Sequence, residues 1–118
     1  VTVIYIAGPF RGDTAWQVEQ HVRQAETLAY YVARLGAMPL CPHTNTRFFH
    51  GEFTDQFWLE GTIELMSRCD GVILTEDWHS SPSVRAEVAR AHLVNLPVFD
   101  SLDALHVWLM RPEVKAHA

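Results

Sequence analysis

A few places in this 118-residue sequence carry side chains whose type and spacing can do chemistry. Gly8-Pro9-Phe10-Arg11-Gly12 ends a short apolar run and precedes a helical pattern. Its glycines let backbone approach a ligand, the following helix N-terminus favours an anion, and Arg11 offers a two-pronged donor for phosphate. The spacing matches neither a dinucleotide fingerprint nor a P-loop, and the plainer reading is a strand-to-helix turn with an exposed arginine. Glu87 has small neighbours, Ala86, Ala89 and Ala91, that leave room for a ligand beside its carboxylate. Alternatively it is a surface residue paired with Arg90, an arrangement worth roughly 0.2–0.5 kcal/mol. Asp77 beside Trp78 sets an acid next to a flat aromatic, which suits a base or sugar ring, although exposed loop residues of this kind are common. Asp70 opens a strand, where a structural hydrogen bond is the better explanation of a carboxylate. Cys41-Pro42-His43 with His50 fits no zinc spacing, so no metal site is expected. Nor are Cys41 and His43 expected to form a nucleophilic pair, because neighbours in a strand alternate between its faces.

The elements that must position these residues are legible from periodicity. Val3-Ile4-Tyr5-Ile6-Ala7 reads as a buried strand stopped by Gly8-Pro9. Thr14 with Gln17 is a capping-box pattern, and Val18, Val22, Ala25, Ala29 and Val32 then recur at helical spacing up to Gly36. Ala37 to Leu40 carries Pro39 and suits a short strand at a sheet edge. Cys41 to Phe53 reads as a loop of about a dozen residues, a length that in compact domains usually serves function or mobility. Thr54 caps a helix to about Arg68, Asp70 to Leu74 is a strand, and Thr75 to Ser81 is its exit turn. Ser81-Pro82 starts a further helix to about Val94, Leu96 to Phe99 is the last strand, and Ser101 to Met110 the last helix. Strand and helix alternate throughout, which predicts an α/β layer fold around a parallel sheet. Such sheets bind ligands outside the carboxyl ends of their strands, so the turns after the first and third strands should share one crevice.

Composition bounds what that crevice can serve. The length is that of one domain over 1–118, and 48% apolar residues suffice for a core and exclude disorder. A net charge of −5 argues against a nucleic-acid polymer or an anionic membrane as partner. No apolar stretch is long enough to span a bilayer. Two cysteines cannot form a disulfide framework, and a reducing, cytoplasmic location is expected. Trp16, Trp58 and Trp108 read as core or interface aromatics rather than a stacking platform.

The start Tyr5-Ile6-Ala7-Gly8-Pro9-Phe10-Arg11-Gly12, Pro42-His43, the strand Cys69 to Leu74 and the stretch from Trp78 through Ser81 to Glu87 together resemble one superfamily. It is the nucleoside 2-deoxyribosyltransferase-like proteins, which include 2′-deoxynucleoside 5′-monophosphate N-glycosidases and small bacterial and phage members. The likeness runs in order over roughly residues 3–99. It implies a flavodoxin-like (Rossmann-like) three-layer sandwich and cleavage or transfer of the N-glycosidic bond of a (deoxy)nucleoside or nucleotide. By that resemblance Glu87 falls on the nucleophile and Tyr5 on the residue orienting it. Ser81 falls on a contact to the 5′-phosphate, and Gly8, Pro9, Phe10 and Arg11 on the lining of sugar and phosphate. No cofactor is implied. The partner expected is a small-molecule nucleoside or nucleotide, together with a second copy of the chain, since the enzymes of this superfamily are dimers or larger. The Phe48-Phe49 loop and the helix around Trp58 are candidates for such an interface.

Two positions depart from the superfamily pattern. A Ser-x-Gly turn appears here as Ser81-Pro82-Ser83, and the helix acid that helps protonate the leaving base is replaced by Thr62. Glu60 and Glu64 lie on other faces of that helix. Either Asp77 or His43 supplies the proton, or the chain binds nucleotides without cleaving them.

Overall fold

Four short strands carry the architecture in a computed structural model that describes residues 1–49 and 51–112. They are β1 (Val3–Ala7), β2 (Met38–Leu40), β3 (Gly71–Leu74) and β4 (Val98–Phe99), all parallel, in the order β2-β1-β3-β4. Side chains alternate across a strand, and in β1 this splits the core in two. Ile4 and Ile6 pack with Ala25, Ala29 and Val32 of α1 (Ala15–Arg34) and with Leu105 of α5 (Leu102–Leu109). Tyr5 and Ala7 face the other way, toward Met66 of α3 (Asp55–Ser67) and Val84, Val88 and Ala91 of α4 (Pro82–Leu93). The result is the expected α/β three-layer sandwich, and it sets Tyr5 on the α3–α4 side.

Helix boundaries follow local chemistry. Thr14 accepts the Gln17 N–H at 3.1 Å, while the Gln17 side chain takes the Asp13 N–H at 2.5 Å, one residue before its place in a standard capping box. Gly36 follows the end of α1 at φ +98°, a left-handed conformation that costs glycine nothing. Thr54, Ser81 and Ser101 each accept a backbone N–H at the start of α3, α4 and α5. β2 lies at the sheet edge, where Pro39 costs no ladder bond on the open side. Asp70 is exposed and accepts the Val3 N–H at 2.8 Å, which fastens the start of β1 to the chain entering β3.

The segment from Cys41 to Phe53 is not wholly loop. Pro42 begins a single helical turn, α2 (Pro42–Asn45). Among the described residues, no helix is long and apolar enough to cross a membrane.

Candidate functional site

β1 and β3 are adjacent and parallel, and the strand order reverses between them, with β2 on one side and β4 on the other. Their carboxyl ends are closed together by Thr75 N–H donating to Ala7 O at 3.0 Å. Directly beyond lies a cleft of about 640 Å³, within the size range of small-molecule sites. Its walls are the β1 exit turn, α2, the N-terminal half of α3 and the start of α4.

Tyr5 and Glu87 meet in this cleft. Tyr5 sits near the end of β1 and is 1% exposed; Glu87 lies in the second turn of α4 and is 6% exposed. The phenol donates to Glu87 Oε2 at 2.5 Å. Glu87 therefore points inward, and the alternative of a surface pair with Arg90 does not hold. Burial pushes the Glu87 carboxyl up to about 7, against the hydrogen bond from Tyr5 and the nearby Thr62 hydroxyl, which favour the carboxylate. The Tyr5 phenol is raised well above its ordinary value, first by burial and then by the Glu87 charge.

Gly8, Pro9, Phe10, Arg11 and Ser81 line the same cleft. Gly8 owes its identity to packing rather than to ligand approach: a Cβ there would lie 2.5 Å from Thr75 Cγ2. Arg11 is exposed and paired with Asp55 at 2.6 Å, so a carboxylate from the first turn of α3 takes the place expected for phosphate. Ser81 caps α4, and its hydroxyl lies 3.1 Å from that of Ser83, which also lines the cleft.

Asp77 and Trp78 are not brought in. Asp77 accepts the Thr75 hydroxyl at 2.9 Å behind the β3 exit, and Trp78 packs on the α4-side core with its ring centroid 3.7 Å from that of His79. The 3₁₀ turn Trp78–Ser80 directs both away from the lining, which neither joins. His43 is at the cleft but its Nε2 lies 2.9 Å from Gly8 O and 3.1 Å from Pro9 O. Carbonyls only accept, so this nitrogen carries the proton and spends it on the backbone. Burial lowers the His43 pKa, which favours the neutral ring. Neither Asp77 nor His43 thus presents a proton to the cleft.

The strand argument for separating Cys41 from His43 fails twice. Residues two apart share a strand face, and Pro42 starts a helix here, leaving Cys41 Sγ 4.0 Å from His43 Nδ1. Burial raises the Cys41 thiol, the opposite of what a nucleophile needs. Among the described residues no group of three or more His, Cys, Asp or Glu side chains could hold a metal; His50 lies outside them.

Trp58 is not in the core. It lines the cleft from α3, half-buried, with the rings of Phe57, Phe53 and Phe49 at 5.2, 5.8 and 6.5 Å. Trp16 is exposed, and Trp108 packs against Phe99. His21, Phe53 and Asp55 join the lining without having stood out in the sequence. The one cue was Asp55 directly after the Thr54 cap, which places it beside any ligand approaching that helix end.

The sequence matches the profile of a family described as "Domain of unknown function (DUF7768)" over residues 2–100. No curated protein matches it. Among solved structures, the fold is similar to a 2-deoxyribosyltransferase from the psychrotolerant bacterium Bacillus psychrosaccharolyticus, described as a biocatalyst for nucleoside synthesis. The TM-score is 0.59 at 20% identity, over 82% of this chain and 69% of that one.

Proposed function

We propose that this chain, which belongs to the DUF7768 family, cleaves or transfers the N-glycosidic bond of a (deoxy)nucleoside or nucleoside 5′-monophosphate. The observation that carries the reading is the buried hydrogen bond from Tyr5 to Glu87, set in an open cleft at the strand-order switch. The likeness in fold to a deoxyribosyltransferase supports it.

In this reading the ionised Glu87 attacks C1′ while the C1′–N bond breaks through an oxocarbenium-like transition state. The departing base takes the bond's electron pair and gains a proton from solvent. Water, or a second base, then displaces Glu87 from the glycosyl ester. Tyr5 holds the attacking carboxylate in one orientation. Gly8 to Arg11 line the sugar and phosphate end, and Ser81 meets the phosphate at the N-terminus of α4, where helix N–H groups favour an anion. The chemistry calls for no cofactor. The same reading takes 1–118 as one domain acting in the cytoplasm as a homodimer or larger homo-oligomer, which sedimentation separates from a monomer.

The test is release of free base from a panel of nucleosides and 5′-monophosphates, with Glu87→Ala abolishing it. Release that survives Glu87→Ala would remove the nucleophile from the account. Thr62, in place of an acid, favours a second reading: a module that binds nucleotides without turnover. That reading expects thermal stabilisation by ligand, following RT ln(1 + [L]/Kd), with no base released.

A further inference from the structure

We propose that His21 and His43 form a clasp that sets the β1 exit turn in its ligand-binding shape. They are positioning residues, acting on the ligand through the Gly8–Arg11 backbone. Three successive carbonyls of that turn are each met by an imidazole nitrogen. His43 Nε2 lies 2.9 Å from Gly8 O and 3.1 Å from Pro9 O; His21 Nδ1 lies 3.2 Å from Phe10 O. The two rings come from different elements, so the turn is tied to both α1 and α2.

The chemistry of the contact assigns the protons. A carbonyl oxygen has nothing to donate, so His43 carries its hydrogen on Nε2 and His21 carries one on Nδ1. His43 is 5% exposed, and its ring edge packs against Phe10 with centroids 6.1 Å apart. The far side of His21 points toward Asp77, with Nε2 3.9 Å from Oδ2. Asp77 in turn accepts from Thr75, whose side chain sits against Gly8. The clasp thereby couples the exits of β1 and β3, and gives Asp77 a supporting role outside the cleft.

Geometry explains why this matters to a ligand. No peptide here is cis, so each C=O in the turn is opposed by the N–H of the next residue. Fixing Pro9 O and Phe10 O on the imidazoles fixes the directions of the Phe10 and Arg11 N–H groups and the base of the Arg11 side chain. Phe10 and Arg11 both line the cleft, so the clasp sets the shape of this wall. Small displacements of such groups are costly to binding and rate.

The consequence for turnover rests on the proposed N-glycosidic chemistry; the clasp itself does not, and the experiment separates them. Imidazole nitrogen shifts measured by NMR at pH 8 should show His21 protonated at Nδ1 and His43 at Nε2 but not Nδ1. A His21 ring carrying hydrogen only on Nε2, or a His43 ring carrying it on Nδ1, overturns the clasp whether or not the protein is an enzyme. In base release, His21→Leu should lower kcat/KM about tenfold, mainly through KM, which corresponds to the loss of one hydrogen bond. His21→Asn, whose amide donates from near the Nδ1 position, should restore most of it. Unchanged kcat/KM in His21→Leu, or equal loss in His21→Asn, overturns the positioning role. His21 is partly exposed, so these variants test the idea even if His43→Leu fails to fold. Absence of base release by the wild type with the expected protonation would fault the proposed reaction and leave the clasp standing.

Discussion

The Tyr5 phenol and the Glu87 carboxyl, 82 positions apart in the chain, share a 2.5 Å hydrogen bond inside the cleft. β1 supplies one and α4 the other, and the sandwich buries both on the same side of the sheet. A carboxyl held at about 7 by burial, with a phenol donating to it, is poised between an acid and a nucleophile near neutral pH.

That poise has a cost in stability. The folded Glu87 holds its proton up to about pH 7, whereas the ordinary carboxyl loses it near 4.5. Between those values the folded state binds the extra proton, so stability falls as pH rises through this window and levels off above it. The size of the gap corresponds to about 3 kcal/mol. Denaturant unfolding at pH 5 and pH 8 should show the wild type losing most of that relative to Glu87→Gln. Identical pH slopes for the two proteins would mean that the carboxyl is not held protonated by burial.

Removing the phenol tests its part separately. Tyr5→Phe deletes a donor that favours the Glu87 carboxylate, so the ionisation limb of the kcat/KM profile for base release moves to higher pH. A hydrogen bond to a charged group is worth roughly 1.5–3 kcal/mol, so the rate at pH 7 should fall about 10- to 100-fold. A lower rate with an unmoved limb would assign Tyr5 to packing alone.

Gly8 and Thr75 couple the two exit turns by contact. In Gly8→Ala the new Cβ meets Thr75 Cγ2 at 2.5 Å and Oγ1 at 2.7 Å, which should destabilise by about 1–3 kcal/mol. Thr75→Ala removes both atoms and leaves Thr75 Cβ at 3.2 Å, so the double variant should recover part of the loss. Strictly additive effects in the double-mutant cycle would contradict the contact.

Arg11 is paired with Asp55 at 2.6 Å. Both side chains are largely exposed, so their pairing contributes little stability and Asp55→Asn should leave the melting temperature nearly unchanged. It should nevertheless raise affinity for a nucleoside 5′-monophosphate about three- to tenfold at low salt, without changing affinity for the unphosphorylated nucleoside. Calorimetric titration at two salt concentrations reads this directly. Equal gains for both ligands would place Arg11 away from the phosphate.

Much of this could be read before any coordinates. The strands, the four long helices and the caps at Thr14, Thr54 and Ser81 follow from periodicity and capping chemistry, because burial of one stripe or face dictates them. The crevice followed from the parallel order alone. α2 did not, since a four-residue helix shows no period and Pro42 reads equally as turn or helix start. That Trp58 lines the cleft was not legible because apolar residues surround α3, at Phe57, Trp58, Leu59, Ile63, Leu65 and Met66, and define no single face. Asp77 and Trp78 occupy the expected exit turn, but side-chain direction there depends on one 3₁₀ turn that composition does not encode. The pairing of Tyr5 with Glu87 came from resemblance, as no local pattern joins residues so far apart.

In the proposed reaction Glu87 bonds covalently to C1′. Incubation with a 2′-fluorinated nucleoside or its 5′-monophosphate, in which the electron-withdrawing fluorine slows loss of the glycosyl ester, followed by peptide mass analysis, tests it most directly. A glycosyl mass increment is expected on the Glu87 peptide, absent in Glu87→Gln and accompanied by one equivalent of free base. Base released in one equivalent with the increment on another residue, or turnover by Glu87→Gln, would contradict it.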